Sequence, residues 1–280
     1  MEIFSGIHWL PIRTRTLPPH RATNTYLLLS DCTILAIDAI QSEEPELKRY
    51  FSELGLDSIS MAAITHPHQD HYRGLDTLLD QFGGEIITHS LARNRLEEVF
   101  TDRTFGQEIN GGEVLQIGKF QVSILHTPGH SPHHICLYLE EEKVLFSGDT
   151  ILGWGTSIIA PPEGDMIAYM KTLLDLFEIE VDVICPGHGP LIKERAAEKI
   201  QWYYAHRLMR ERKVLDALKA GPLTPSEIAE KIYNEEDFKM HGRDLLPRAV
   251  YSVMAHIQKL EKEGLVTILD GSDSSKYFLT

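Results

Sequence analysis

The segment Thr65–His71, with the sequence THPHQDH, constrains the fold and chemistry of this chain more than any other stretch. Three histidines and one aspartate fall within six consecutive residues. An apolar, strand-like segment (59–64) precedes the motif, and a segment with helical apolar spacing (75–82) follows it. Loops that leave strands are where α/β proteins usually place binding sites. The motif therefore predicts a functional site at a strand end.

The residue types and their spacing indicate metal binding. Neutral imidazole and carboxylate are the usual zinc ligands besides thiolate. Alternate residues of an extended chain point the same way, so His66 and His68 can face one metal. Asp70 and His71 follow where the chain turns into a helix, so they point elsewhere. This geometry favours two adjacent metals over one, and the alternative is a polar loop that holds histidines by chance.

Further candidate ligands follow other predicted strands. His130 ends a Thr-Pro-Gly-His turn after strand 120–126, Asp149 follows strand 143–147, and His188 follows strand 181–185 within Pro-Gly-His-Gly-Pro. Proline and glycine force turns that present these side chains at strand ends. The full candidate set is His66, His68, Asp70, His71, His130, Asp149 and His188.

The order of predicted elements indicates one large domain and one small domain. Over residues 1–195, strands and then helices occur twice, which predicts an α/β (α+β) fold with a four-layer αββα sandwich. Residues 196–280 read as helix, helix, helix and hairpin, the order of a winged-helix module. Thr224 and Glu227 are spaced to form a capping box at the start of the second of these helices.

The predicted third helix of the small domain carries balanced charge. Arg248, Lys259 and Lys262 are offset by acidic residues on the same segment. This balance favours packing or homodimer formation through the C-terminal domain over binding of nucleic acid. Nucleic-acid binding through the third helix remains the alternative use of such a module.

Charge and apolar patterning limit the classes of partner and location. The formal net charge is −14, because residues 1–200 carry 15 basic and 29 acidic side chains while residues 201–280 carry 12 of each. The acidic excess argues against a broad electrostatic footprint on nucleic acid. No apolar run reaches membrane-spanning length, and Met1–Phe4 lacks a signal-peptide pattern, so a cytoplasmic protein is expected. The three cysteines, Cys32, Cys136 and Cys185, are too few for a disulfide framework and are predicted to be buried thiols.

The ligand order His-x-His-x-Asp-His, then His, Asp and His, resembles that of the metallo-β-lactamase-fold hydrolase superfamily in its dinuclear zinc form. The resemblance implies that His66, His68 and His130 hold one zinc ion and that Asp70, His71 and His188 hold the other. It implies that Asp149 bridges the ions and that a shared hydroxide is the nucleophile, with Asp70 counted as catalytic as well as ligating. Iron or manganese can also occupy such a site. Di-iron redox members carry a glutamate where His68 stands, which disfavours that branch.

Two further stretches, Gly148–Gly153 and Pro161–Met166, together with the C-terminal module, are similar to the β-lactamase-like protein 2 group. In that group one member is a single-strand-selective endoribonuclease, and fungal relatives hydrolyse thioesters of polyketide carriers. The resemblance thus implies a metal-dependent hydrolase, with single-stranded RNA as the first expected substrate. The alternatives are a thioesterase or glyoxalase II-like hydrolase of small thioesters, and a non-catalytic winged-helix regulator.

Asp38 and His134, both expected near the ligands, each have two interpretations. Asp38 can orient a ligand imidazole or simply cap a strand. His134 is a candidate acid for the leaving group, or it forms a hydrogen bond at the start of a strand. Tyr169, on a predicted helix, is expected to pack in the core.

Overall fold

Two compact units make up the chain in the computed structural model, which describes residues 1–17, 19–41, 45–233, 246–269 and 275–280. The first unit is formed by Met1–Thr127, His133–Gly155 and Glu180–Ala196. The second is formed by Pro128–Pro132, Thr156–Ile179 and Ala197–Thr280. Within the described ranges, no helix has both the length and the apolar character that a membrane crossing requires.

The first unit contains two mixed β-sheets. The six strands of the first sheet lie in chain order: β1 (Glu2–Phe4), β2 (Ile7–Arg13), β3 (Ala22–Ser30), β4 (Thr33–Ile37), β5 (Met61–Ala63) and β6 (Glu85–Ile87). The second sheet has the order β11-β10-β9-β8-β7, with β7 (Val114–Ile117), β8 (Phe120–His126), β9 (Ile135–Leu139), β10 (Val144–Gly148) and β11 (Val183–Pro186). Strands β4, β5 and β6 pair in parallel, as do β10 and β11, and the other pairs are antiparallel.

Apolar side chains hold this unit together in layers. One buried cluster lies between the facing sheets and includes Tyr26, Ile37, Phe120 and Phe146. A second cluster covers the other face of the first sheet with helices α1 (Glu46–Glu53), α2 (Leu75–Phe82) and α3 (Ser90–Glu97). Each buried Val, Leu, Ile or Phe contributes roughly 1.5–3 kcal/mol relative to an exposed one. The expected α/β sandwich is thereby confirmed, and its two sheets are mixed.

The second unit is helical, with one hairpin. Its elements are α4 (Met166–Asp175), α5 (Ala196–Leu218), α6 (Pro225–Ile232), α7 (Leu246–Lys262), β12 (Val266–Leu269) and β13 (Lys276–Leu279). Helices α5, α6 and α7 share a small core that includes Val214, Ile228 and Val253. Thr224 and Glu227 form the predicted capping box at α6. The predicted start of the third helix (244–245) and the hairpin turn at 270–274 lie outside the described residues.

The cysteines differ from expectation at one position. Cys136 and Cys185 are buried, as predicted, and burial raises the pKa of the Cys136 thiol to about 12. Cys32 is exposed, so the prediction of a buried thiol there was wrong. It follows Asp31, whose φ of 52° marks the turn between β3 and β4, and a tight turn leaves its side chains in solvent.

His89 caps helix α3 and gives the fold a dependence on pH. Its Nδ1 accepts a hydrogen bond from the Leu91 N–H at 3.1 Å, and burial, helped by the neighbouring His126, lowers the pKa of His89 to about 4. Because this pKa lies below the unfolded value near 6.5, its contribution to stability is complete above pH 6.5 and is lost as the pH falls towards 4.

We expect His89→Asn to reduce this loss, since asparagine also accepts at an N-cap but does not titrate. At pH 7 the two proteins should have free energies of unfolding within about 0.5 kcal/mol of each other. Urea unfolding at pH 7 and pH 4.5 measures the difference. If both proteins lose the same free energy of unfolding between pH 7 and pH 4.5, His89 is not the source of the pH dependence.

Candidate metal centre

The candidate ligands of the first unit follow strands of both sheets. Asp38 follows β4, the Thr65–His71 motif follows β5, Asp149 follows β10 and His188 follows β11. The parallel pair β4–β5 places Asp38 and the motif at one edge of the first sheet, and the parallel pair β10–β11 places Asp149 and His188 at one edge of the second sheet. The structure thus joins residues more than a hundred positions apart in the chain.

Two buried imidazoles and two partly buried carboxylates form a cluster. Nε2 of His71 lies 3.3 Å from Nε2 of His188. Oδ2 of Asp70 lies 3.4 Å from the same His188 atom, and Oδ1 of Asp149 lies 3.5 Å from both nitrogens. His71 is fully buried and His188 is 2% exposed. The donor atoms of Asp70, His71 and His188, and those of His66, His71 and Asp149, lie within 4.8 Å of one another.

Hydrogen bonds on the far side of each ring determine which nitrogen faces the cluster. Nδ1 of His71 donates to Oδ2 of Asp38 at 2.8 Å, and Nδ1 of His188 donates to the Ala22 carbonyl at 2.8 Å. A carbonyl or carboxylate oxygen can only accept, so the hydrogen of each neutral ring is on Nδ1. The Nε2 lone pairs then face carboxylate oxygens in a buried space. Hydrogen-bond acceptors that face one another need a positive charge between them. These nitrogen and oxygen atoms therefore fit the ligand set of a metal ion.

Asp38 organises the start of the motif. Its Oδ1 accepts from the Thr65 N–H at 2.9 Å, and its Oδ2 accepts from the Thr65 hydroxyl at 2.9 Å. That hydroxyl donates its only hydrogen to Asp38, so Thr65 Oγ1 accepts from Nδ1 of His66 at 3.1 Å. The Nε2 lone pair of His66 therefore points away from Thr65. Of the two readings of Asp38, the structure supports the one in which it orients imidazoles, those of His71 and, through Thr65, His66.

The charges of the cluster reinforce each other. Burial alone would raise the pKa of Asp70, but the hydrogen bond from His188 and the charge of His71 hold it well below its usual range. Burial would likewise lower the pKa of His71, yet Asp38 and Asp149 raise it. The pKa of His188 is raised against burial by Asp149 and Asp70. In the metal-free cluster, protons on His71 and His188 balance the anionic carboxylates. A metal ion would replace those protons, and the Nε2 lone pairs of the neutral rings would then face the ion.

The loop that carries His188 is held by residues that the sequence did not single out. Asn24 Nδ2 donates to the carbonyls of Pro186 (2.8 Å) and Gly189 (2.7 Å), and the Tyr26 hydroxyl donates to the Pro186 carbonyl at 2.8 Å. A Cβ at Gly187 would lie 2.7 Å from Asp149 Oδ1, so only glycine allows this close approach. The polar run Thr23–Thr25 within an otherwise apolar strand was the available signal.

His134 is placed differently from a proton donor to a leaving group. It is fully buried, and its Nε2 accepts a hydrogen bond from the Asp149 N–H at 3.0 Å. Its Nδ1 lies 2.8 Å from Thr127 Oγ1. Both ring nitrogens are engaged inside the protein, which agrees with the reading of His134 as a hydrogen-bonding residue. That its partner is the Asp149 backbone was not predicted.

Of the other residues singled out in the sequence, His68 lies in the first unit, and His130 and Tyr169 lie in the second. The His68 ring lies next to that of His66 in the first unit, with 4.5 Å between ring centroids. His130 lies in the second unit, where its Nδ1 donates to the Ile158 carbonyl at 2.7 Å and leaves Nε2 as the acceptor. Tyr169 is fully buried, as expected.

A family model described as Metallo-beta-lactamase superfamily matches residues 19–188 of this chain. The Beta-lactamase-like protein 2 homolog of Drosophila melanogaster is 32% identical over 272 residues, which cover 92% of this chain and 88% of that protein. The Atrochrysone carboxyl ACP thioesterase of Aspergillus chevalieri is 30% identical over 223 residues, which cover 76% of this chain and 68% of that protein.

Solved structures share the fold. A metallo-beta-lactamase family protein from Thermus thermophilus superposes with a TM-score of 0.78 at 24% identity, covering 100% of both chains. A Beta-lactamase domain protein from Burkholderia ambifaria gives a TM-score of 0.81 at 19% identity, covering 100% of this chain and 93% of that one. At these identities the likeness concerns the fold alone.

Proposed function

This chain belongs to the Metallo-beta-lactamase superfamily, and on that premise we propose that it is a dinuclear metal-dependent hydrolase that cleaves thioesters. The observation that carries the proposal is the cluster of Asp70, His71, His188 and Asp149, in which nitrogen lone pairs and carboxylate oxygens converge in a buried space. Such an arrangement suits a hydrolytic metal centre and has no evident purpose in packing alone.

We propose the ligand assignment that the resemblance to this superfamily implies. His66, His68 and His130 would hold the first ion, Asp70, His71 and His188 would hold the second, and the carboxylate of Asp149 would serve both. Imidazole and carboxylate donors suit zinc, and they also suit iron or manganese. When bound, such a pair of ions polarises the scissile group and makes water nucleophilic near neutral pH.

The side chains of the protein supply the geometry for this chemistry. Asp38 and the Ala22 carbonyl hold the hydrogens of His71 and His188 on Nδ1, so that Nε2 of each ring can ligate. Thr65 does the same for His66, and His134 fixes the backbone of Asp149. This preorganisation means that the ligands need not rearrange when the ions bind.

The name of the Aspergillus chevalieri relative favours a thioester as the substrate, and its matched region covers most of both chains. We expect the zinc-loaded protein to release free thiol from acyl-coenzyme A or lactoylglutathione well above the uncatalysed rate. A thiol-reactive dye measures this release, with Asp70→Ala and chelator-treated protein as controls. No release above those controls would contradict the thioesterase proposal.

A second candidate, cleavage of single-stranded RNA, is favoured by a cationic loop. Residues 3–30 contain no acidic residue but carry Arg13, Arg15 and Arg21 in or beside the β2–β3 loop. This loop touches the cluster, because the Thr16 side chain hydrogen-bonds Asp70 and the His20 ring stacks on His188 at 5.2 Å. A cationic loop at a metal centre suits a phosphodiester, although the chain as a whole is acidic.

The same protein preparations decide between the two substrates. Labelled single-stranded RNA replaces the thioester, and Asp70→Ala is again the control. Metal-dependent RNA cleavage without thiol release would favour the second candidate. If protein that holds two ions shows neither activity, both substrate proposals are contradicted.

We propose a catalytic domain at residues 1–195, followed in the sequence by a winged-helix-like domain at 196–280 that packs or forms a homodimer. The order α5, α6, α7 and hairpin supports this. The lysines of α7 make ion pairs within the second unit, Lys259 with Glu211 at 2.8 Å and Lys262 with Asp165 at 3.0 Å. Lysines that are paired in this way are less suited to bind phosphate. Light scattering that gives the mass of a single chain would remove the dimer from this proposal.

A further inference from the structure

Arg207, on helix α5, is a buried cation with an unusual environment. It is 3% exposed, and its Nη2 donates to the Ser157 carbonyl at 2.5 Å. Its guanidinium carbon lies 5.2 Å from the centre of the Tyr169 ring, within cation–π range. Across the described ranges, no carboxylate forms an ion pair with Arg207. Burying an unpaired cation costs several kcal/mol, so a residue kept in this state points to a specific role.

The carbonyl that Arg207 holds is adjacent to the one that orients His130. Ser157 is next to Ile158, whose carbonyl accepts from Nδ1 of His130 at 2.7 Å. The Ser157 hydroxyl also lies 3.5 Å from the same nitrogen. Fixing the Ser157 carbonyl therefore fixes the neighbouring peptide group, which in turn determines the tautomer and the direction of the His130 ring.

The ring beneath Arg207 supports the His130 loop from its other side. A Cβ at Gly129 would lie 2.4 Å from Cα of Tyr169, so the Gly129 backbone, with a φ of 140°, packs directly on α4. The Asp165 N–H donates to the Gly129 carbonyl at 2.9 Å, and the Thr172 hydroxyl donates to the Pro128 carbonyl at 2.7 Å. Arg207 thus contacts Tyr169 and the 157–158 peptide group, which is next to the 158–159 peptide group whose carbonyl accepts from His130.

We propose that Arg207 is a positioning residue for the metal ligand His130, and that helix α5 is accordingly part of the apparatus of the metal site. The proposal rests on the proposed role of His130 as a ligand. It predicts that the C-terminal helix contributes to metal affinity without touching an ion. The catalytic function would then depend on residues beyond position 195.

The test compares Arg207→Met with Arg210→Met in the full chain. Arg210 is a matched control, because it also lies over a tyrosine ring (Tyr233, 4.1 Å) and donates to a carbonyl (Ile232, 3.4 Å), but neither contact is part of the support of His130. Chelator-stripped proteins are dialysed against buffered zinc and the bound ions are counted, and cobalt-substituted samples give a visible spectrum that reports ligand geometry. Circular dichroism checks the fold.

We expect Arg207→Met to weaken the binding of one of the two ions by about 10–100-fold and to change the cobalt spectrum. Arg210→Met should do neither. A folded Arg207→Met protein that binds both ions as the parent does would overturn the proposal. If Arg207→Met does not fold, Arg207→Lys decides, because lysine keeps the charge but lacks the planar group. A several-fold loss of affinity supports the proposal, and parental affinity overturns it.

His130→Ala separates this inference from the function on which it rests. We expect His130→Ala to lose one ion. Adding Arg207→Met to this variant should then cause no further loss of bound metal. If His130→Ala keeps both ions, the ligand assignment itself is wrong. If it loses one ion while the Arg207 variants keep both, only the inference about Arg207 fails.

Discussion

Replacing His188 by alanine is expected to slow hydrolysis by about a thousandfold and to reduce the zinc content from two ions per chain to one. His188 contributes an Nε2 lone pair that lies 3.3–3.5 Å from His71, Asp70 and Asp149. Losing one of two Lewis acids removes several kcal/mol of transition-state stabilisation, and about 4 kcal/mol corresponds to a thousandfold in rate. Initial rates and metal analysis on the same samples measure both effects.

His126→Ala provides the matched control for this variant. His126 is exposed at the end of β8 and is not one of the candidate ligands. It should keep two ions and the parental rate. A His188→Ala protein that retained its activity, or lost no more than the His126 variant, would refute the role given to His188.

Asp38→Asn is expected to lower metal affinity by about 10–100-fold and the rate by at least a comparable factor. The carboxylate of Asp38 accepts from Nδ1 of His71 and from both the N–H and the hydroxyl of Thr65. An amide keeps one acceptor but turns a donor towards these groups. His71 then favours the tautomer with its hydrogen on Nε2, which cannot ligate. Zinc titration and kcat measure the effect.

The same substitution should also destabilise the fold. A buried donor left without an acceptor costs about 1–3 kcal/mol, which urea unfolding of the metal-free protein detects. Asp76→Asn is the control, because Asp76 is 60% exposed and pairs with Arg103 at the surface, where an ion pair contributes less than about 1 kcal/mol. Equal effects of the two substitutions would contradict the orienting role of Asp38.

Much of the cluster was predictable because it depends on local rules. Metal-ligand residue types in one short loop, and glycine-containing turns after strands, led to Asp70, His71, Asp149 and His188, which the fold brings together. The α6 capping box and the burial of Tyr169 followed from equally local patterns. These predictions need no knowledge of how distant segments pack.

What the sequence could not show depends on tertiary contacts. Asn24 holds a loop 162 residues away, and Arg207 holds a carbonyl 50 residues away, so neither leaves a local signature. The role of His134 was undecided until its ring was seen to accept from Asp149. Cys32 was misjudged because flanking apolar residues suggested burial, whereas the turn at Asp31 exposes it.

The central claim is that this chain holds a pair of metal ions, and counting them tests it most directly. The full chain is stripped with chelator, reloaded with excess zinc, freed of unbound metal and analysed for zinc and protein on the same sample. We predict two ions per chain for the parent and one for His188→Ala. A single ion in the fully loaded parent protein would contradict the dinuclear site and the mechanism built on it.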